Sequence, residues 1–288
     1  MILFRKFKAL LQTLHTESFE KGQKGDAGIE ANLSDSKAQD HWDTRPAIAL
    51  MVAAVCLLML HYLKFNSSFY AFLDLWFSQF SDDAATAINE LRTQPFIRLA
   101  GMAWWSGWHV IAFVLIPLLT IKFIFKDSLG NYGLGIGMLR RDLKWYLLLI
   151  APVLCFVFMV SFRGDFNSHY PFYKLAHRSW FDLITWEILY LLQFVCVEFF
   201  FRGFIVQACR PTFGVNAIFI MIVPYMMIHL PKLWLEATGS ILFGLFLGIL
   251  ALHTRSIWGG VLVHISIALS MDIAALLQTR GLPQQWWP

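Results

Sequence analysis

The feature that most limits how this chain can fold is a series of apolar stretches, each about 20 residues long. A hydrocarbon layer of about 30 Å needs about 20 helical residues to cross it. The approximate bounds of the stretches are 47–65, 99–125, 144–162, 182–208, 214–230, 237–253 and 257–278. The sequence therefore predicts an all-α integral membrane protein that forms a bundle of about seven transmembrane helices.

One further stretch leaves the number of crossings open. Residues 68–80 are rich in aromatic side chains but are short and interrupted by polar residues. This pattern favours an interfacial or re-entrant helix. With seven crossings the two chain ends lie on opposite sides of the membrane, and an eighth crossing would reverse the side of the C-terminus.

Composition excludes several classes of protein. Of the 288 residues, 58% are hydrophobic and only 15% are charged, which is more apolar than a soluble domain can enclose. The four cysteines lie in or beside apolar runs, so no disulfide framework is expected. The cationic residues are distributed among the predicted loops and tail, and they do not form a basic face with interleaved aromatic residues. The expected partner is the lipid bilayer and not a nucleic acid.

The order of polar and apolar segments predicts three regions. Residues 1–45 form a cytoplasmic tail, in which residues 2–14 are either a basic amphipathic helix or a disordered basic segment, followed by a polar linker. Residues 46–178 hold the N-terminal membrane helices, and residues 179–288 form a core of four helices. Most of the 23 Lys and Arg residues fall on the N-terminal side of alternate loops. The positive-inside rule therefore places the N-terminus in the cytoplasm, and a bacterial inner membrane is the expected location.

Ionisable side chains within the apolar stretches indicate where function resides. Each costs at least about 2.5–3.5 kcal/mol to insert, so such residues usually face the bundle interior and serve a function. The set consists of Glu187, Glu198, Arg202, His229, His264 and Asp272.

Three of these residues are expected at similar depth. Glu198 lies about 20 Å before a predicted turn near residues 211–214, and His229 lies about 25 Å after it on the antiparallel helix. His264 follows the next turn and is deep enough to join them. Glu198 and Arg202, four residues apart, share a helix face, and a simple neutralising ion pair is the alternative explanation for them.

A carboxylate and two imidazoles can perform two related tasks. The carboxylate can act as a general base toward water while the imidazoles position that water or stabilise an oxyanion. The same three groups could instead ligate a zinc ion that has an open coordination position. Both arrangements lead to hydrolysis.

The order of these residues resembles the CAAX protease and bacteriocin-processing family of intramembrane proteases, also called the CPBP or ABI family. Its three motifs are EExxxR, FxxxH and HxxxN or HxxxD, on successive helices of a four-helix core. Residues 197–204 resemble the first motif, residues 225–229 the second and residues 264–268 the third. The resemblance covers residues 180–278.

The resemblance implies an endopeptidase that cleaves a membrane-associated peptide or protein substrate. The residues that carry over as catalytic are Glu198, Arg202, His229 and His264. If a divalent metal such as zinc takes part, its ligands would be Glu198, His229 and His264.

Three positions depart from the family pattern, and one of them, Tyr225 in place of Phe at the start of the second motif, is a mild change. The first Glu, which is the family's principal base, is Val197 here, and the final Asn or Asp, which helps to hold the oxyanion, is Ala268. Glu198 could replace the base if its helix turned by about 100°, the rotation of one residue. These departures keep a second hypothesis open: a catalytically degenerate member that acts as a membrane scaffold or regulator. A transporter with a proton path through the same residues is the third alternative.

Overall fold

The computed structural model describes residues 44–80 and 83–288, and within them the chain forms helices and no strands. The helices are α1 (Thr44–Leu63), α2 (Asn66–Phe77), α3 (Ala84–Thr93), α4 (Ile97–Phe125), α5 (Leu139–Val160), α6 (Gly164–His169), α7 (Trp180–Glu198), α8 (Val206–Phe213), α9 (Ala217–Met227), α10 (Trp234–Thr254) and α11 (Trp258–Gln278). The prediction of an all-α membrane bundle is confirmed. The predicted tail helix at residues 2–14 lies outside the described residues.

Six helical segments of the described chain are long and apolar enough to cross a membrane. The longest of them, Trp180–Met227, reverses direction within its length. Gly214 has a φ of +56°, which suits a glycine because it has no Cβ, and α9 then runs back along the preceding segment. The rings of Phe201 and Tyr225, which flank this turn, lie 5.2 Å apart. This segment therefore contains two antiparallel helical parts. The second of them, α9, has 11 residues and is about 16 Å long.

Side-chain and backbone contacts define one end of the bundle. Arg45, at the start of α1, forms an ion pair of 3.1 Å with Asp127, which follows α4. The backbone N–H of Ile257, between α10 and α11, donates to the carbonyl of Gly133 at 2.9 Å. The start of α1, the α4–α5 connection and the α10–α11 connection therefore lie at the same end.

The C-terminus lies at the opposite end. The backbone N–H of Trp180, at the start of α7, donates to the carbonyl of Gln285 at 2.9 Å. The indole of Trp104 donates to the carbonyl of Leu63, where α1 ends, at 2.7 Å. Because Thr44 lies at one end and the C-terminal residues lie at the other, the described chain runs from end to end of the bundle an odd number of times.

The stretch that left the count open forms α2, which has 12 residues and is therefore about 18 Å long. This length is too short to cross a hydrocarbon layer. The ring of Phe72 packs 5.0 Å from the ring of Trp104 on α4. Helix α2 thus lies against the bundle beside the end of α1.

Two adjacent glycines let α11 approach its neighbours closely. A Cβ at Gly259 would lie 2.1 Å from Cζ of Tyr146 on α5, and one at Gly260 would lie 2.0 Å from Oε2 of Glu198 on α7. Small residues at such contacts are typical of helix packing in membranes, where close backbone approach provides much of the association energy. These glycines therefore fix the position of α11 against both α5 and α7.

We predict that Gly259→Ala destabilises the fold by about 1–3 kcal/mol, because the added methyl group has no space beside Tyr146. Gly107→Ala is the matched control, since a Cβ at Gly107 meets nothing within 4 Å. Thermal unfolding in detergent measures both variants. Equal stability of the two variants would contradict the close approach of α11 and α5.

We also predict that Ser128 and Gln284, both exposed, face opposite sides of the membrane. A cysteine introduced at either position should react with a membrane-impermeant maleimide from one side of sealed vesicles only, and the two sides should differ. Labelling of both cysteines from the same side would contradict the odd number of crossings.

Candidate active site

The first motif lies where the helix geometry changes. Helix α7 ends at Glu198, and a π-helical segment, Phe199–Ile205, continues to α8. Every residue of this π segment is buried. The ring of Phe200 stacks on that of Phe113 at 4.2 Å, and a Cβ at Gly203 would lie 2.8 Å from the carbonyl oxygen of Tyr132. Dense packing therefore holds this widened turn in place, and π-helical turns occur frequently at functional sites.

Glu198 and Arg202 form a fully enclosed ion pair. Nη1 of Arg202 donates to Oε1 of Glu198 at 2.9 Å, and both side chains are 0% exposed. The guanidinium group also lies 4.1 Å above the ring of Tyr225. Nε and Nη2 of Arg202 have no hydrogen-bond partner among the described residues. The carboxylate and the aromatic face are thus the two groups that stabilise this buried cation.

His264 lies between the ion pair and Tyr225. Its Nδ1 is 3.0 Å from Oε1 of Glu198, at an angle outside hydrogen-bond geometry. Its Nε2 is 3.0 Å from the hydroxyl oxygen of Tyr225. The ring stacks on Phe194 at 5.3 Å with an interplanar angle of 8°. Contacts on its face and at both nitrogens therefore fix the orientation of this imidazole.

His229 approaches Tyr225 from the other side. It lies in the turn that follows α9, and its Nδ1 is 2.9 Å from the carbonyl oxygen of Tyr225. A carbonyl oxygen can only accept, so Nδ1 carries the hydrogen and Nε2 of the neutral ring keeps a free lone pair. The rings of Tyr225 and His229 lie 4.7 Å apart. Tyr225 thus connects the two histidines.

A cavity of about 1420 Å³ adjoins this cluster. Tyr225, His229 and His264 line it, and so do Val197 and Ala268, where the family has an acid and a polar side chain. Glu198 does not line the cavity and lies enclosed behind His264. The structure therefore brings the four predicted residues together but presents only the two histidines to the cavity.

The arrangement does not fit a metal centre. Among residues 44–80 and 83–288, no three His, Cys, Asp or Glu side chains converge as ligands. Oε1 of Glu198 already accepts from Nη1 of Arg202 at 2.9 Å, and Glu198 does not line the cavity, so its carboxylate is not presented as a third ligand beside the two histidines. Nδ1 of His229 and Nε2 of His264 both face Tyr225.

The other two ionisable residues of the predicted set, Glu187 and Asp272, lie outside the cavity wall. The indole of Trp186 donates to Oδ2 of Asp272 at 2.7 Å, within the contact of α7 and α11. Both carboxylate oxygens of Glu187 are buried and have no hydrogen-bond partner among the described residues. Neither acid lines the cavity. Their positions therefore offer no replacement for the acid that is absent at Val197.

Sequence reasoning missed the central position of Tyr225. We expected the exchange of Phe for Tyr in the second motif to be a mild change, yet the hydroxyl group contacts His264 and the carbonyl contacts His229. The available signal was the spacing, because residues four apart on a helix lie one above the other. The contact with His264 joins residues 39 positions apart, and no local pattern indicates it.

Comparison with known proteins gives a family match for part of the chain. Residues 179–270 match the family model described as type II CAAX prenyl endopeptidase Rce1-like. No curated protein and no solved structure gives a significant match to the chain. The matched region contains all four candidate site residues and the cavity wall formed by α7, α9 and α11. The resemblance to the CAAX protease and bacteriocin-processing family is thereby confirmed for residues 179–270.

Proposed function

We propose that this chain is an intramembrane endopeptidase that acts on membrane-associated peptides or proteins. The observation that carries the proposal is the convergence of His229 and His264 on Tyr225 at the cavity wall, with the Glu198–Arg202 pair directly behind. Polar groups organised in this way within an apolar bundle are typical of a functional site. The match to the CAAX endopeptidase family gives independent support to peptide-bond hydrolysis as the reaction.

The size of the cavity and the side chains that line it fit a large and largely apolar substrate. Its volume of about 1420 Å³ exceeds the range typical of small-molecule pockets, roughly 300–1,000 Å³. Its wall extends from the histidines to Lys64 and Trp234, near the end of the bundle that holds the C-terminus. A peptide segment that carries a lipid or enters the bilayer fits this shape. Prenylated peptides, which the family description names, belong to this class.

The free Nε2 of His229 beside the cavity supports His229 as the base. Nε2 of His229 accepts a proton from a water molecule as the water oxygen attacks the carbonyl carbon of the peptide bond. The carbonyl oxygen becomes an oxyanion, and when the C–N bond breaks, the proton on His229 passes to the departing amine. Glu198 acts as a positioning residue that holds His264, and Arg202 forms the ion pair that holds the Glu198 carboxylate in place.

A regulator or scaffold without catalytic activity is the second candidate. The observation that favours it is the presence of Val197 and Ala268 on the cavity wall, where the family has a carboxylate and a polar side chain. Loss of a base costs about 10²–10⁴ in rate. In this case the cavity would bind a membrane segment without cleaving it.

We further propose that the bundle end with the start of α1 faces the cytoplasm of a bacterial inner membrane. Arg140, Arg141, Lys144 and Arg255 lie at this end, in agreement with the positive-inside rule. The cavity wall would then extend toward the opposite side of the membrane. Residues 179–288 are the proposed catalytic core.

We predict that His229→Ala lowers kcat for a membrane-peptide library at least about 100-fold, because the variant lacks the proton acceptor. His253→Ala is the matched control, since this histidine contacts Asp142 and does not line the cavity. Cleavage by purified protein in detergent, followed by mass spectrometry, measures both variants. A metal chelator should leave the rate unchanged, because the side chains are not arranged as ligands.

Three results would count against this proposal. Absence of cleavage by a folded wild-type protein would favour the regulator. A His229→Ala variant as active as the wild type would remove His229 from the mechanism. Loss of activity with chelator, restored by added zinc, would contradict the metal-free assignment.

A further inference from the structure

The proposed hydrolysis needs a hydrogen-bond donor for the oxyanion. Removing one such donor from a protease typically costs about 10²–10³ in kcat. Ala268 offers only a methyl group, although it lies one turn after His264 on the face of α11 that lines the cavity. Val197 is apolar as well. The donor must therefore come from another residue on this part of the wall.

His264 is poorly suited to provide it. The carboxylate of Glu198 is ion-paired and lies 3.0 Å from Nδ1 of His264, so its negative charge favours a ring hydrogen on this nitrogen even though the contact is not a hydrogen bond. Nε2 of His264 is then an acceptor, and the hydroxyl group of Tyr225 donates to it at 3.0 Å. Tyr225, which lines the cavity, is therefore the donor at the end of this chain of contacts, and His264 is not.

We propose that the hydroxyl group of Tyr225 is the oxyanion donor of this site, held in position by His264 and Glu198. This inference rests on the proposed peptidase function and adds a catalytic residue to it. Tyr225 supplies a polar group at the second motif, where the family has Phe, and so compensates for the polar group that is absent at residue 268.

The step requires no covalent change at Tyr225. As the water oxygen bonds to the carbonyl carbon, His229 takes the proton and the carbonyl electron pair moves onto oxygen. The hydroxyl hydrogen of Tyr225 turns about its C–O bond from Nε2 of His264 toward the new oxyanion. When the C–N bond breaks, the electron pair returns to the carbonyl and the hydroxyl hydrogen returns to His264.

The test compares kcat and KM of the wild type and Tyr225→Phe, a change that removes only the hydroxyl oxygen. We expect kcat to fall about 100-fold or more with KM little changed, because the lost bond forms in the transition state. Adding Ala268→Asn to Tyr225→Phe should recover at least tenfold of the lost rate, since it returns a donor to the same wall. Tyr146→Phe is the matched control: it loses one buried hydroxyl contact, of 3.1 Å to Thr254, and does not line the cavity.

A second measurement is independent of hydrolysis. Removal of the Tyr225 hydroxyl frees Nε2 of His264, so Tyr225→Phe should raise the rate at which diethyl pyrocarbonate modifies His264 several-fold, while Tyr146→Phe should not. An active Tyr225→Phe variant with the kcat of the wild type overturns this inference and leaves the peptidase proposal intact. A wild type that cleaves nothing overturns both, and an unchanged modification rate overturns the contact itself.

Discussion

The buried ion pair of Glu198 and Arg202 is the interaction on which the rest of the site depends. Two charges in an apolar bundle are costly unless each is compensated, and removing one partner of such a pair typically costs about 3–5 kcal/mol. The bundle compensates them with the 2.9 Å ion pair, the aromatic face of Tyr225 and the nearby imidazole of His264. The contacts that offset the cost of burying these two charges therefore also orient Tyr225 and His264 toward the cavity.

The polar residues of the site form two groups, one enclosed in the bundle and one on the cavity wall. Glu198 and Arg202 lie behind the cavity wall, whereas His229, His264 and Tyr225 form part of it. The glycine at position 260 maintains this separation, because any side chain there would occupy the position of the Glu198 carboxylate. An enclosed carboxylate suits the orientation of an imidazole better than direct attack on water. The loss of the acid at position 197 is thus accompanied by a transfer of the base role to His229 in the proposed mechanism.

Much of the fold was predictable from the sequence, because apolar length alone defines membrane helices. The predicted stretch 257–278 is close to α11 (Trp258–Gln278), and the predicted turn near residues 211–214 coincides with the reversal at Gly214. Helix α3 was not anticipated, since its ten residues carry no apolar run of membrane length. A short helix with a mixed sequence depends on local capping, here by Asp83, which accepts from the backbone N–H of Thr86 at 3.0 Å.

The site was predictable in its members but not in their orientation. Helical spacing placed Glu198, His229 and His264 at similar depth, and the structure brings Glu198 and His264 to 3.0 Å. Which of two adjacent residues faces the cavity depends on the rotation of α7. That rotation follows from the packing of the π segment and from Gly260, which are tertiary contacts that no local pattern records. For this reason the sequence left Glu198 open as a base, whereas the structure presents Val197 to the cavity.

If the enclosed Glu198 carboxylate holds His264 at the cavity wall, the two residues stabilise each other, and a double-mutant cycle measures this coupling most directly. The free energy of unfolding in mixed micelles would be measured for the wild type, Glu198→Gln, His264→Asn and the double variant. The effect of Glu198→Gln on Arg202 occurs both with and without His264, so it cancels in the cycle. We predict a coupling energy of at least about 1 kcal/mol, as for residues in one polar network. A coupling energy of zero between two properly folded single variants would contradict the account.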